Sequence, residues 1–103
     1  MVPVALACDM TAIPAAERPA HYELARRLVA AAIIRETAGG FVLELPAGEF
    51  EAAARFVARE RLCCPFLAFR IEVPAGQGAL QLHLSGPAGA KAIIKSELHL
   101  PDA

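Results

Sequence analysis

The stretch that decides the fold is Gly39-Gly40-Phe41-Val42-Leu43-Glu44-Leu45-Pro46-Ala47-Gly48. Phe41, Leu43 and Leu45 alternate with Val42 and Glu44, the period of two that a strand with one buried face imposes. The glycine pair marks a hairpin turn, so the preceding Ala32-Ile33-Ile34-Arg35-Glu36 is the partner strand. Pro46-Ala47-Gly48 stops the second strand. Working outward, the same grammar returns downstream. Phe69, Ile71 and Val73 alternate with Arg70 and Glu72, Pro74 to Gly78 form a turn, and Leu80, Leu82 and Leu84 alternate with Gln81 and His83 before Gly86-Pro87-Ala88-Gly89. The two Pro-Ala-Gly triplets begin at Pro46 and Pro87, 41 positions apart.

Helical spacing follows each triplet. From Glu49 to Cys63, Phe50, Ala53, Ala54, Val57 and Arg61 step along one side, and Ala90 to Leu98 supplies a short final helix. Upstream, Pro14 and Glu17 mark a helix start, proline in the first turn and an acid where the helix dipole favours it. Leu24, Leu28 and Ala31 give that helix, Pro14 to Ala31, an apolar face, while Arg18, His21, Glu23 and Arg26 fall on the wet side. The expected fold is α+β: a ββα repeat behind an N-terminal helix, in the order α-β-β-α-β-β-α. Its four-stranded antiparallel sheet carries helices on one face and leaves the other largely open.

At 103 residues the chain is expected to be one domain, residues 1–103, with a single core. It is 56% hydrophobic and 20% charged, apolar enough to point to an exposed apolar face and a homodimer. A formal net charge of −1 provides no basic footprint for phosphate, so direct nucleic-acid binding is not expected. No run approaches the roughly 20 apolar residues of a spanning helix. Ala5-Leu6-Ala7-Cys8 loosely resembles a lipoprotein cleavage site, but it lacks a charged start and an adequate apolar run. A cytoplasmic chain is therefore expected, with its three cysteines reduced.

Two of those cysteines are adjacent in Glu60-Arg61-Leu62-Cys63-Cys64-Pro65-Phe66. Neighbouring side chains on a helix diverge by about 100°. Pro65 alters this by forcing Cys64 toward extended angles, which brings its sulfur round toward that of Cys63. A disulfide between the two is strained, because a trans peptide holds their Cα atoms about 3.8 Å apart. A catalytic thiolate is disfavoured as well. The pair sits at a helix C-terminus, where the dipole opposes negative charge, and Arg59 and Arg61 offset that only in part.

Capture of a soft cation fits better, since the ion itself deprotonates the thiol. Two thiolates suit mercury(II), copper(I), arsenite or zinc, with Cys8 as a third ligand if the N-terminal segment folds back over the helix end. A four-ligand zinc site would need His21, His83, His99 or Asp9 as well. The plainer reading is that buried free cysteines pack as small apolar side chains. His83 and His99 read as solvated surface groups, His21 with Tyr22 and Arg18 as one wall of a pocket or a wet helical face, and Glu60 carries no assigned chemistry. There is no phosphate-binding glycine loop, no H-E-x-x-H and no serine elbow.

Leu6-Ala7-Cys8 with Ala12 and Arg18, Glu60-Arg61-Leu62-Cys63-Cys64-Pro65-Phe66 with Phe69, and Ser85-Gly86-Pro87-Ala88-Gly89 with Lys91 resemble a family of small bacterial proteins with an E-R-x-C-C-P-F core. These segments also resemble ones associated with mercury-type (MerR-like) regulators and heavy-metal resistance. The resemblance implies that Cys8, Cys63 and Cys64 are the thiol positions. Unlike a regulator, the chain has no helix-turn-helix or basic portion. The sequence thus points to a non-enzymatic module binding a mercury-like ion as sensor, carrier or scavenger. A structural or dimerisation module with buried cysteines is the alternative, and a thiol redox enzyme the third reading.

Overall fold

A computed structural model describes residues 6–101. It has three helices, α1 (Arg18–Ala31), α2 (Phe50–Cys63) and α3 (Ala90–Glu97), and four strands, β1 (Ile33–Glu36), β2 (Gly40–Leu45), β3 (Ala68–Glu72) and β4 (Leu80–Ser85). Short 3-10 turns at Ala15–Glu17 and Ala47–Glu49 lead into α1 and α2. The order is the expected α-β-β-α-β-β-α. All strand pairs are antiparallel, in the spatial order β1-β2-β4-β3, so two hairpins meet along β2 and β4.

That meeting explains the sequence repeat. Val42 pairs with His83, 41 positions on, the same spacing as the Pro-Ala-Gly triplets. The two ββα units are therefore related by an approximate two-fold through the centre of the sheet. Gly40 is required at the seam, because a Cβ there would land on the Leu84 carbonyl of β4.

The period of two does what it promised. Phe41, Leu43, Leu45, Leu80, Leu82 and Leu84 form one face and are all buried, against Leu24 and Leu28 of α1, Ala52, Ala53 and Phe56 of α2, and Ile94 and Leu98 at α3. Complete burial of such a side chain stabilises by about 1.5–3 kcal/mol. The opposite face carries Arg35, Glu44, Arg70, Glu72, Gln81 and His83, with the exposed Ile33 at its β1 edge. Val42, also on that face, is nevertheless buried between Arg35 and His83 in the sheet register.

Two details of the sequence reading need correction. The buried stripe of α2 is Ala52, Ala53, Phe56, Glu60 and Cys63, with Phe50 exposed. The alanine-rich sequence fits several helical phases equally well, and the one observed buries Phe56 completely. Val73 lies beyond the end of β3 and is exposed. Among the described residues, no helix is long and apolar enough to cross a membrane.

Candidate metal centre

Three segments converge at the C-terminal end of α2. Pro65 drives Cys64 out of the helical region, to φ −122° and ψ 72°. The Cys64 N–H still donates to the Glu60 carbonyl at 2.8 Å, so the helix completes its last bond as the chain turns. The two neighbouring sulfurs, instead of diverging, lie 3.5 Å apart.

The N-terminal segment crosses this helix end. The Asp9 N–H donates to the Cys63 carbonyl at 2.6 Å, satisfying one of the acceptors a helix leaves open at its C-terminus. Asp9 also caps a 3-10 turn at Met10–Ala12, and the Thr11 hydroxyl and N–H hold its carboxyl below the usual carboxylate range. Arg18 Nε donates to the Met10 and Ile13 carbonyls, both at 2.9 Å. Ile13 is fully buried beside Cys63, Cys64, Phe66 and Ala90. Held in this way, Cys8 reaches the pair and is disulfide-bonded to Cys64.

All three cysteines of the chain therefore meet at one point. Their expected oxidation state is corrected, since only Cys63 is a free thiol. The physical reason lies in the crossing segment: it places a second sulfur against Cys64 that no local pattern around Cys63-Cys64-Pro65 announces.

Cys63 and Cys64 are both 0% exposed, whereas Cys8 is partly exposed. Burial, reinforced by the nearby Glu60 and Glu97 carboxylates, pushes the Cys63 thiol up to about 12. It is protonated at neutral pH and donates weakly to the Glu60 carbonyl at 3.4 Å. Such a thiol is a poor nucleophile. Its proton leaves readily only to a cation that takes its place.

Beside the sulfurs lies a buried polar pair. His21 of α1 is 2% and Glu60 of α2 is 5% exposed, and His21 Nε2 meets Glu60 Oε2 at 2.7 Å. Phe56 stacks on the imidazole with ring centroids 5.5 Å apart. Nδ1 of His21 is buried without a hydrogen-bond partner among the described residues. The other carboxylate oxygen, Oε1, lies 3.2 Å from Cys64 Sγ. While the disulfide is closed that sulfur has no proton to give, but a reduced Cys64 thiol is in place to donate to Glu60.

One ligand atom each from His21, Glu60 and Cys63 falls within 4.8 Å of the others. This nitrogen, oxygen and sulfur set suits a borderline cation such as zinc, and reduction of the disulfide would add two sulfurs and shift the preference toward softer ions. The crevice alongside, lined by Cys8, Glu60, Cys64, Leu67, Ile93 and Glu97, is too tight to admit a water molecule.

Of the histidines and the acid considered as completing ligands, only His21 joins the cluster. His83 sits on the open sheet face 3.4 Å from Arg70, His99 is exposed beyond α3, and the Asp9 carboxylate is exposed and turned to Thr11. His21, expected on the wet side of α1, is buried. Tyr22 points outward and Arg18 is committed to backbone carbonyls, so the three do not share a pocket wall. Glu60, given no role from sequence, is the hub of the site. Its one available signal was position: it stands one helical turn from Phe56 and from Cys64, on the buried stripe. No family model matches the chain, and no curated protein or solved structure was found similar to it.

Proposed function

We propose that this chain binds a thiophilic metal or metalloid ion, mercury(II) or one of similar softness, through Cys8, Cys63 and Cys64 in their reduced state. His21 and Glu60 form the polar wall of the site. The chain would act as a sensor, carrier or scavenger of that ion. The observation carrying this reading is the convergence of every cysteine in the chain on one buried point, across a sequence separation of 56 between Cys8 and Cys64. Soft thiolates select soft cations.

Reduced protein mixed with one equivalent of mercury(II) should retain one ion in native mass spectrometry against competing small thiols. Cys8→Ser should weaken retention and the Cys63→Ser/Cys64→Ser double variant abolish it. Equal retention in every variant, or none in any, refutes the reading.

A second reading has its own support. The Cys8–Cys64 disulfide ties the N-terminal segment to α2, and Cys63 and Cys64 pack against Ile13, Phe66 and Ala90 as apolar groups. On that reading the cluster is a structural staple. Cys8→Ser then lowers stability while no variant changes metal retention.

A further inference from the structure

Two of the three sulfurs proposed as ligands are bonded to each other in this structure, and the surroundings decide how that bond can be opened. Cys64 is fully buried, so a reductant cannot approach its sulfur. Cys63 lies 3.5 Å away, but its attack on Cys64 would form a disulfide between adjacent residues, which a trans peptide strains. Cys63 is also fully buried, which keeps it out of exchange. Of the three cysteines, Cys8 alone is partly exposed.

The segment bearing Cys8 is anchored independently of the disulfide. It is held by the Asp9 bond to the Cys63 carbonyl, by Arg18 on Met10 and Ile13, and by the buried Ile13 side chain. Opening the disulfide therefore leaves Cys8 beside its partners.

We propose, resting on the ion-binding reading above, that the Cys8–Cys64 disulfide is the closed state of a redox-gated ion site, opened by a dithiol reductant attacking at Cys8. One thiolate of the reductant bonds to Cys8 Sγ, and the Cys8–Cys64 bond breaks. Cys64 leaves with the electron pair and takes up a proton, its new S–H facing Glu60 Oε1 at 3.2 Å. The second reductant thiol attacks its own sulfur in the mixed disulfide, releasing Cys8, which is protonated in turn. The reductant loses two electrons and becomes a disulfide, and the protein gains two thiols. Three free thiols then surround the site, which had one. In reverse, a small-molecule disulfide closes the site through Cys8 and spares Cys63.

The test uses cadmium(II) with a carboxylate chelator as competitor, so that no competing thiol disturbs the redox state. Reduced protein should bind with the thiolate-to-cadmium absorption band. Oxidised protein should bind more weakly by over the roughly 10–100-fold that loss of a supporting partner costs a metal site. Cys8→Ser, unable to form the lock, should bind equally before and after treatment with glutathione disulfide. In Cys64→Ser, which cannot resolve a mixed disulfide, glutathione should accumulate on Cys8 alone.

Equal affinity in the two redox states of the unaltered protein overturns the gate and leaves the ion site standing. Absence of cadmium binding in both states overturns the two together. Loss of binding by Cys8→Ser on oxidation, or a glutathione adduct on Cys63, overturns the gate through its mechanism.

Discussion

The sheet face carrying Leu43, Leu82 and Leu84 and the helix end carrying Cys63 and Cys64 are equally dry, yet they use burial differently. On the sheet face, burial is the whole of the chemistry: leucines from β2 and β4 meet Leu28, Phe56 and Ile94, with nothing polar to satisfy. At the helix end the same exclusion of water falls on a thiol, a histidine and a carboxylate. There it holds Cys63 protonated and leaves Glu60 paired with His21 and pressed against the Cys64 sulfur. Low dielectric that merely stabilises one region stores unsatisfied demand in the other.

Phe56 joins the two regions, packing in the leucine core and stacking on His21. Its truncation should therefore produce the largest loss. Phe56→Ala is expected to cost about 3–5 kcal/mol in urea unfolding, and to shift the His21 imidazole resonances by NMR. Unchanged resonances would separate the regions after all.

The next effect belongs to the helix end alone. Cys8→Ser removes a long-range cross-link and should cost about 2–4 kcal/mol under oxidising conditions, and far less when both proteins are reduced. A loss of the same size in both redox states would mean that Cys8 acts by packing.

The polar pair comes third. Glu60→Ala leaves His21 buried and unpartnered, at about 1–3 kcal/mol, whereas Glu60→Gln keeps an oxygen acceptor and should cost less. If the two variants are equally stable, the hydrogen bond to His21 contributes nothing to folding.

The smallest effect is titration. Cys63 ionises near 9 when unfolded and is pushed up to about 12 in the fold. A raised folded value gives stability that is complete below the unfolded one and is lost as pH climbs toward the folded one. Between pH 9 and 10 the protein should lose about 1 kcal/mol relative to Cys63→Ala. Parallel stability curves for the two would show that the thiol is not desolvated.

What the sequence disclosed follows the same division. Strands and hairpins were legible because Phe41-Val42-Leu43-Glu44-Leu45 and Leu80-Gln81-Leu82-His83-Leu84 state their period locally, and Pro65 announced where α2 ends. The meeting of Cys63 and Cys64 was readable for the same reason, since it needs only a helix and a proline. The disulfide, the burial of His21 and the part played by Glu60 were not readable. Each depends on how α1 and the N-terminal segment lie across α2, and that is set by Arg18, Ile13 and Phe56 acting over long separations. An alanine-rich α2 leaves its own phase open, so nothing in the sequence assigns Glu60 a role.

The most direct test of the central claim is X-ray absorption at the mercury edge of reduced protein loaded with one equivalent of mercury(II). Three sulfur neighbours in the unaltered protein, falling to two in Cys8→Ser, are the predicted result. A sulfur count that does not change in Cys8→Ser, or a spectrum matching mercury bound to small thiols in solution, would contradict a three-cysteine site.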